Sequence, residues 1–446
     1  MVFIVFLTFC LLAVSALPIE EHASRIHGEN GWFVPQVGDD FKWLTLGEAQ
    51  GQLAAYESLN NMEIAEHFSI NAVSFYLYTR RNPKEGQLIT ATAESIDASN
   101  FDATNPTRFT IHGWNSNYKD GLNTGVRDAW FLSGDYNMIA VDWARGRSLE
   151  YASSVAAASG AGQKIARMVD FLVRDYAMSL ETLEVVGFSL GAHVAGYAAK
   201  QVSTGNVYKV VGLDPASALI SYDKPEKRLS SNDAYYVETI QTNGGTLGFN
   251  KPIGRATFYP NGGKSQPGCA LDLTGSCSHK RSVTYYVESL RMNNFPTIKC
   301  ASYQQAHKKD CGSTYSSVKM GANENIHVAV GDFYVPINKQ SPYGLGEPIE
   351  EGGETTTLQP TTIVEENKTS TSPSEEETET STSSSEEETE TSPTPSEEVN
   401  DSSSTATPPG IVTTPAPEDD KDKGCKTNIY ILNLIFVNAQ INKSQD

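Results

Sequence analysis

Cysteine is scarce in this chain, with six in 446 residues, and no two pairs stand at the short spacings of a zinc module. Basic charge is also short: 34 Lys and Arg face 54 Asp and Glu, a net charge of −20. That balance argues against a nucleic-acid partner. No apolar run is long enough to span a membrane comfortably. The longest, "MVFIVFLTFCLLAVSALP", ends in small residues, with Val14 and Ala16 suited to cleavage after Ala16. It reads as a signal peptide over residues 1–16, although Lys and Arg are missing from its start. The closing run "IYILNLIFV" has nine residues and a polar end, which disfavours a glycolipid-anchor signal.

Apolar residues themselves run out late in the chain. Residues 347–424 hold 21 Asp and Glu against 3 Lys. Eighteen of the twenty net negative charges therefore belong to this stretch, and the remainder is close to neutral. "EEETETS" occurs at 375 and again at 386, within Ser, Thr, Glu and Pro. Such a segment buries too little apolar surface to offset its chain entropy, so residues 346–424 are expected to be disordered. Ser/Thr with Pro suggests a glycosylated stalk, and Asn367, Asn400 and Asn442 begin Asn-x-Ser/Thr sequons. The expected organisation is a signal peptide (1–16), an N-terminal segment (17–69), a folded domain (70–345), the acidic tail (346–424) and a C-terminal segment (425–446) with no assigned role. A secreted, extracellular destination permits disulfides. Cys269 and Cys277 are near enough to clip one small loop and Cys300 and Cys311 another, Cys10 leaves with the signal peptide, and Cys425 is left over.

What is present between about Val73 and Val335 is an alternation of short apolar runs and longer amphipathic ones. "RFTIHGW", "NMIAVDW", "LEVVGFS" and "KVVGLDPA" have nearly continuous apolar residues and read as buried strands. "SSVAAASGAGQKIARMVDFLVRDYAM" has helical periodicity at Ile165, Met168, Val169 and Leu172. Strand alternating with helix predicts an α/β fold with a mostly parallel central sheet and helices on both faces.

In "VVGFSLGAHVAGYAAK", residues 185–200, a serine stands between two glycines where a strand meets a helix rich in small residues. Gly-x-Ser-x-Gly at such a turn resembles the nucleophile elbow of an α/β-hydrolase. A serine hydroxyl needs a base, and the base an orienting acid; in this fold the chain order is Ser, acid, His. Asp214 ends the strand-like "VVGLDP" and Pro215 stops it, whereas Asp223 and Asp233 lie in polar, irregular sequence and read as surface acids. His279, His307 and His327 follow. His279 sits beside Cys277, where a disulfide would stiffen its loop; His307 lies in "QQAHKKD", which reads as a solvated loop with a structural histidine, and His327 precedes the apolar "VAVGDFYV" and reads as a buried, satisfied histidine. The amide of Leu190 is one expected donor to a developing oxyanion, and the loop at His112, Gly113 and Trp114 the source of the other.

"RFTIHGW", "NMIAVDW", "VVGFSLGAHVAGYAAK", "VVGLDPA", "FYPNGGKSQPGC" and "CSHKRSV" together resemble the pancreatic-lipase-like family of secreted neutral lipases, over roughly residues 70–345. The resemblance implies Ser189 as nucleophile, Asp214 as acid, His279 as base, and Trp114 and Leu190 as oxyanion-hole donors. It also implies that the Cys269–Cys277 loop corresponds to the family's lid. Only seven residues, "ALDLTGS", lie between those cysteines, and "TNGGTLGFNKPIGRATFYP", matching a second loop over the site, is short as well. Both loop lengths resemble the venom phospholipase A1 branch. The family's calcium region aligns with "KRLSSNDA", where Ser230 replaces an acid ligand, so no metal and no cofactor are expected. The resemblance thus implies a monomeric secreted serine esterase acting on phospholipid or acylglycerol at a lipid surface, as a phospholipase A1 or neutral lipase. Two other readings stand beside it: an inactive lipase-fold storage or binding protein, and a mucin-like matrix component.

Overall fold

The computed structural model describes residues 24–347 except for 39, 61–70 and 270–271. The signal-peptide, tail and C-terminal assignments and Cys425 lie outside the described residues. In chain order the elements are β1 (Gly31–Gln36), β2 (Asp40–Thr45), α1 (Leu46–Asn60), β3 (Val73–Tyr78), β4 (Gln87–Ile89), α2 (Ala93–Asp97), β5 (Thr107–Ile111), α3 (Gly121–Ser133), β6 (Asn137–Trp143) and α4 (Tyr151–Tyr176). They continue with β7 (Glu184–Phe188), α5 (Leu190–Gln201), β8 (Lys209–Leu213), β9 (Tyr236–Ile240), β10 (Ala256–Pro260), α6 (Ser276–Met292), β11 (Ile298–Cys300), α7 (Tyr303–Lys308), α8 (Asn325–Val328) and β12 (Gly331–Val335).

Ten strands form one sheet in the order β11-β12-β10-β9-β8-β7-β5-β6-β3-β4. The seven strands from β12 to β6 are mutually parallel, β3 and β11 run against them, and β4 pairs antiparallel with β3 at the edge. The near-continuous apolar runs of the sequence are these central strands, because helices cover both faces. Val185 and Val186 show the consequence. Successive strand residues point to opposite faces, and Val185 enters the core beneath α4 and α5 while Val186 enters the core beneath α3 and α6.

Helix α4 docks through Ala158, Ala161, Gly162, Ile165, Met168, Val169 and Leu172. Its small residues let α5 approach until a Cβ on Gly162 would lie 2.5 Å from that of Tyr197. Asp120 caps α3, accepting from the Asn123 amide at 3.0 Å, a contact of about 1 kcal/mol. The N-terminal β1–β2 hairpin is antiparallel and separate from the main sheet. Val34 and Leu44 join the core beneath α4, together with Ala49 of α1.

Parallel strands all point their C-terminal ends one way, and open α/β sheets bind ligands at that end. The segments after β5, β7, β8 and β9 meet there.

Candidate active site

Ser189 occupies the turn from β7 into α5 with φ 56° and ψ −122°. This costs a non-glycine residue roughly 1–3 kcal/mol and persists only where the surroundings enforce it. The flanking glycines are required by close approach. A Cβ at Gly187 would stand 2.2 Å from the Gly191 carbonyl oxygen, and one at Gly191 would stand 2.3 Å from that of Ile111. The helix therefore starts pressed against the strand ends, and the serine is held on the bend.

Asp214 follows β8 and is fully buried. Its Oδ1 accepts from the amides of Thr242 at 2.7 Å and Asn243 at 3.0 Å, both in the segment after β9. Its Oδ2 lies 2.5 Å from His279 Nδ1. With the carboxylate accepting throughout, Nδ1 carries the proton and Nε2 keeps its lone pair. His279 sits in the first turn of α6, and the Phe188 ring packs 4.6 Å from its imidazole. Ser189 and His279 line one cavity of about 210 Å³. Trp114 and Phe188 lie on its wall. Leu190 opens α5, so its amide is among the helix's first N–H groups. Gly113, beside Trp114, comes so near that a Cβ there would sit 2.9 Å from that of Ser189. The expected oxyanion loop and the serine are thus immediate neighbours.

Among the described residues, His112, His193 and His307 have structural partners. His112 is fully buried, with Nε2 3.1 Å from Asp142 and Nδ1 2.8 Å from the Gly113 carbonyl. His193 accepts at Nδ1 from the Leu229 amide and donates from Nε2 to the Ala216 carbonyl, and burial lowers its pKa to about 3. His307 belongs to helix α7 and not to a loop; its ring nitrogens lie 2.8 Å and 2.9 Å from the carbonyls of Gly262 and Asn250. His327 corrects the sequence reading, being exposed and not buried; it lies in short α8, by a cavity shared with Arg108, Glu184 and Lys209 at the starts of β5, β7 and β8, the opposite end of the sheet from Ser189.

Disulfides join Cys269 to Cys277 and Cys300 to Cys311. Cys277 lies inside α6, so the first bridge ties the short loop to the helix carrying His279. Asp272 in that loop accepts from the Cys277 and Ser278 amides at 3.0 Å and 2.7 Å.

Asp233 is a correction to the sequence reading, being 8% exposed and not a surface acid. Ser230 donates to it from its hydroxyl at 2.6 Å and its amide at 2.9 Å, and the Lys200 ammonium pairs with the same carboxylate. Burial raises the Asp233 pKa and lowers that of Lys200, and their attraction opposes both shifts. A fixed ammonium beside a carboxylate and a serine does not suit a calcium ion, which takes six to eight oxygen ligands. The residues present do not fit that metal.

The sheet and the elbow at its C-terminal end define an α/β-hydrolase. The Lipase family pattern matches residues 46–343, and the chain belongs to that family. It is 32% identical over 305 residues to mouse (Mus musculus) "Inactive pancreatic lipase-related protein 1", covering 60% of this chain and 64% of that one. It is 34% identical over 261 residues to mouse "Pancreatic lipase-related protein 2", covering 53% of this chain and 54% of that one. The chain thus spans about half to two thirds of the length of these relatives. Among solved structures, an alpha/beta hydrolase enzyme from a Medee basin deep-sea metagenome library has a TM-score of 0.24 at 12% identity, covering 38% of this chain and 69% of that one. That likeness is too slight to carry an argument. Among the described residues no helix is long and apolar enough to cross a membrane.

Proposed function

We propose that the chain is a secreted, monomeric serine esterase that hydrolyses lipid carboxylic esters through Ser189, His279 and Asp214. The observation that carries this reading is the buried carboxylate of Asp214, which takes two backbone amides on one oxygen and His279 Nδ1 on the other. A purely structural aspartate–histidine pair would not also need a strained serine on the same cavity wall.

In the reaction His279 Nε2 takes the Ser189 proton as Oγ attacks the ester carbonyl, and Asp214 stabilises the imidazolium that forms. The amides of Leu190 and Trp114 receive the charge on the carbonyl oxygen. The imidazolium returns its proton to the leaving alcohol. Water, activated by the same imidazole, then releases the fatty acid from Ser189, and no cofactor takes part.

We favour phospholipase A1 activity, cleavage of the sn-1 ester of phospholipids, over triacylglycerol hydrolysis. The seven-residue disulfide loop offers little apolar surface to seal a cleft, which leaves room for a polar headgroup. This matches the short loops of the venom phospholipase A1 branch. The acidic tail would serve as a glycosylated spacer. The similarity to a relative named inactive supports a non-catalytic alternative. Purified protein assayed side by side on phospholipid and triacylglycerol, with an organophosphonate to trap Ser189, separates the readings. Adduct at Ser189 with faster phospholipid turnover supports the proposal; no adduct and no turnover favours the non-catalytic reading.

A further inference from the structure

The β1–β2 hairpin lies ahead of residue 46, where the family match begins, yet it forms one wall of the cavity at Ser189. Pro35, Gln36, Val37, Gly38, Asp40 and Phe41 all line that cavity. The hairpin has two faces, as the pleat requires. One sends Val34 and Leu44 into the core. The other carries Phe33 against Trp43, with ring centroids 4.8 Å apart, and then Pro35 directly opposite Phe41. Cross-strand partners share a face, so this apolar ladder runs from the hairpin's base toward the catalytic cavity. Pro35 and Phe41 remain only half-buried at its end. Tyr151, Ala218 and Leu247 line the same cavity.

The wall is fastened beside the site. His27 Nδ1 accepts from the Phe33 amide at 3.2 Å, which leaves the proton on Nε2, 3.1 Å from Ser217 Oγ. Ser217 in turn donates to the Leu247 carbonyl at 3.2 Å. Ser217 is three residues beyond Asp214, and Leu247 lies in the loop after β9. The hairpin is therefore tied to the same two segments that hold the aspartate.

The cavity, about 210 Å³, is smaller than the roughly 300–1,000 Å³ of ordinary small-molecule sites. A second groove of about 780 Å³ begins on the far side of Trp114 and Phe188 and is lined by Leu122, Val283, Val287 and Met292. The two share Trp114, Phe188 and Lys280, so bulk can extend there, whereas on the other side the hairpin forms the lining.

From this geometry we infer that the β1–β2 hairpin is the chain-selecting wall of the cleft, with Phe41 the residue that limits the length of the acyl chain lodged between Pro35 and Tyr151. The inference rests on Ser189 acting as an esterase nucleophile. It assigns the hairpin a role in substrate choice and none in bond breaking.

The test compares kcat/KM for p-nitrophenyl laurate with that for p-nitrophenyl butyrate in the full chain and in Phe41→Ala and Phe41→Trp. Shortening the wall should raise the laurate-to-butyrate ratio by roughly fivefold or more, and the larger indole should lower it by a similar factor, chiefly through KM. Thermal melts establish that each variant is folded. Opposite shifts are the diagnostic, because a residue that only supports the fold would move both variants the same way. An active wild-type enzyme whose ratio is unchanged in both variants, or changes in one direction, overturns the wall and leaves the esterase reading intact. Absence of hydrolysis of either ester by the wild type overturns both.

Discussion

Two segments flank the cavity at Ser189, and they are held by different means. The loop from Cys269 to Cys277 is closed by a covalent bridge only 8 positions long and runs straight into the helix bearing His279. The β1–β2 hairpin comes from the other end of the chain. It is held by Val34 and Leu44 in the core and by a single histidine relay, His27 to Ser217 to Leu247. A bridge confines a loop in the unfolded and folded chain alike, at any pH where the disulfide survives. A relay of hydrogen bonds holds only while its donors and acceptors keep their protonation. The first device suits a segment that fixes the helix turn carrying the proposed base. The second suits a wall whose work is shape.

The comparison presupposes a working centre between the flanks, so its removal is the largest effect. Ser189→Ala and His279→Ala should each lower kcat by about 10⁴–10⁶-fold, with the double variant little worse, because the triad acts as one unit. Both should melt cooperatively near the wild-type temperature. A His279→Ala enzyme with near-normal turnover would remove that residue from the chemistry.

The covalent flank comes next. Replacing Cys269 and Cys277 by Ala releases a loop whose closure is worth about 2–3 kcal/mol by chain entropy. A fall in Tm of roughly 5 °C is expected, together with reduced kcat as the first turn of α6 loosens. An unchanged melt and unchanged kcat would mean that Asp272 and helix packing alone hold the loop.

His27→Ala should have a smaller effect, about 1 kcal/mol, the typical net worth of a lost hydrogen bond. It should be local: faster amide exchange at Phe33 and a shifted chain-length preference, with kcat on the short ester reduced less than in the disulfide variant. Global destabilisation matching that of the disulfide variant would erase the distinction between the flanks.

The finest contrast is pH. Burial holds His27 down to about 4 and His193 down to about 3. The unfolded chain binds these protons near pH 6.5, so between roughly pH 6.5 and 4 it holds more protons than the native state. Stability therefore falls as pH falls through that window, and the His27 contribution is exhausted below about 4. The bridged Cys269 and Cys277 do not titrate. His27→Gln should flatten part of the slope in Tm against pH, and an identical slope would show that the relay is not what acid weakens.

Much of the site was legible from residue types and chain order. Gly187, Ser189 and Gly191 announce a bend where side chains would collide with backbone, and the Val-rich runs announce strands covered on both faces. Those signals are local, so they survive in one dimension. Asp233 was misread because its buried partner, Lys200, stands 33 positions earlier, and His307 because its polar neighbours hid a helical turn. The hairpin left a trace as well. "GWFVPQVGDDFKWL" sets two short apolar-rich runs around a Gly-Asp turn, but nothing in that pattern says where the hairpin points.

The sequence by itself determined the alternation of strands and helices, the Gly-x-Ser-x-Gly bend and the candidate acid and base, because strand periodicity, turn sterics and ionisable groups are properties of neighbouring residues. Tertiary structure alone decided three things. It set His279 Nδ1, and neither His307 nor His327, against Asp214. It filled Asp233 with the Lys200 ammonium. It also brought residues 35–38, 40 and 41 into the lining of a cavity whose serine lies about 150 positions later. Each depends on separations in space between residues far apart in the chain, set by how helices and strands pack and absent from any local pattern.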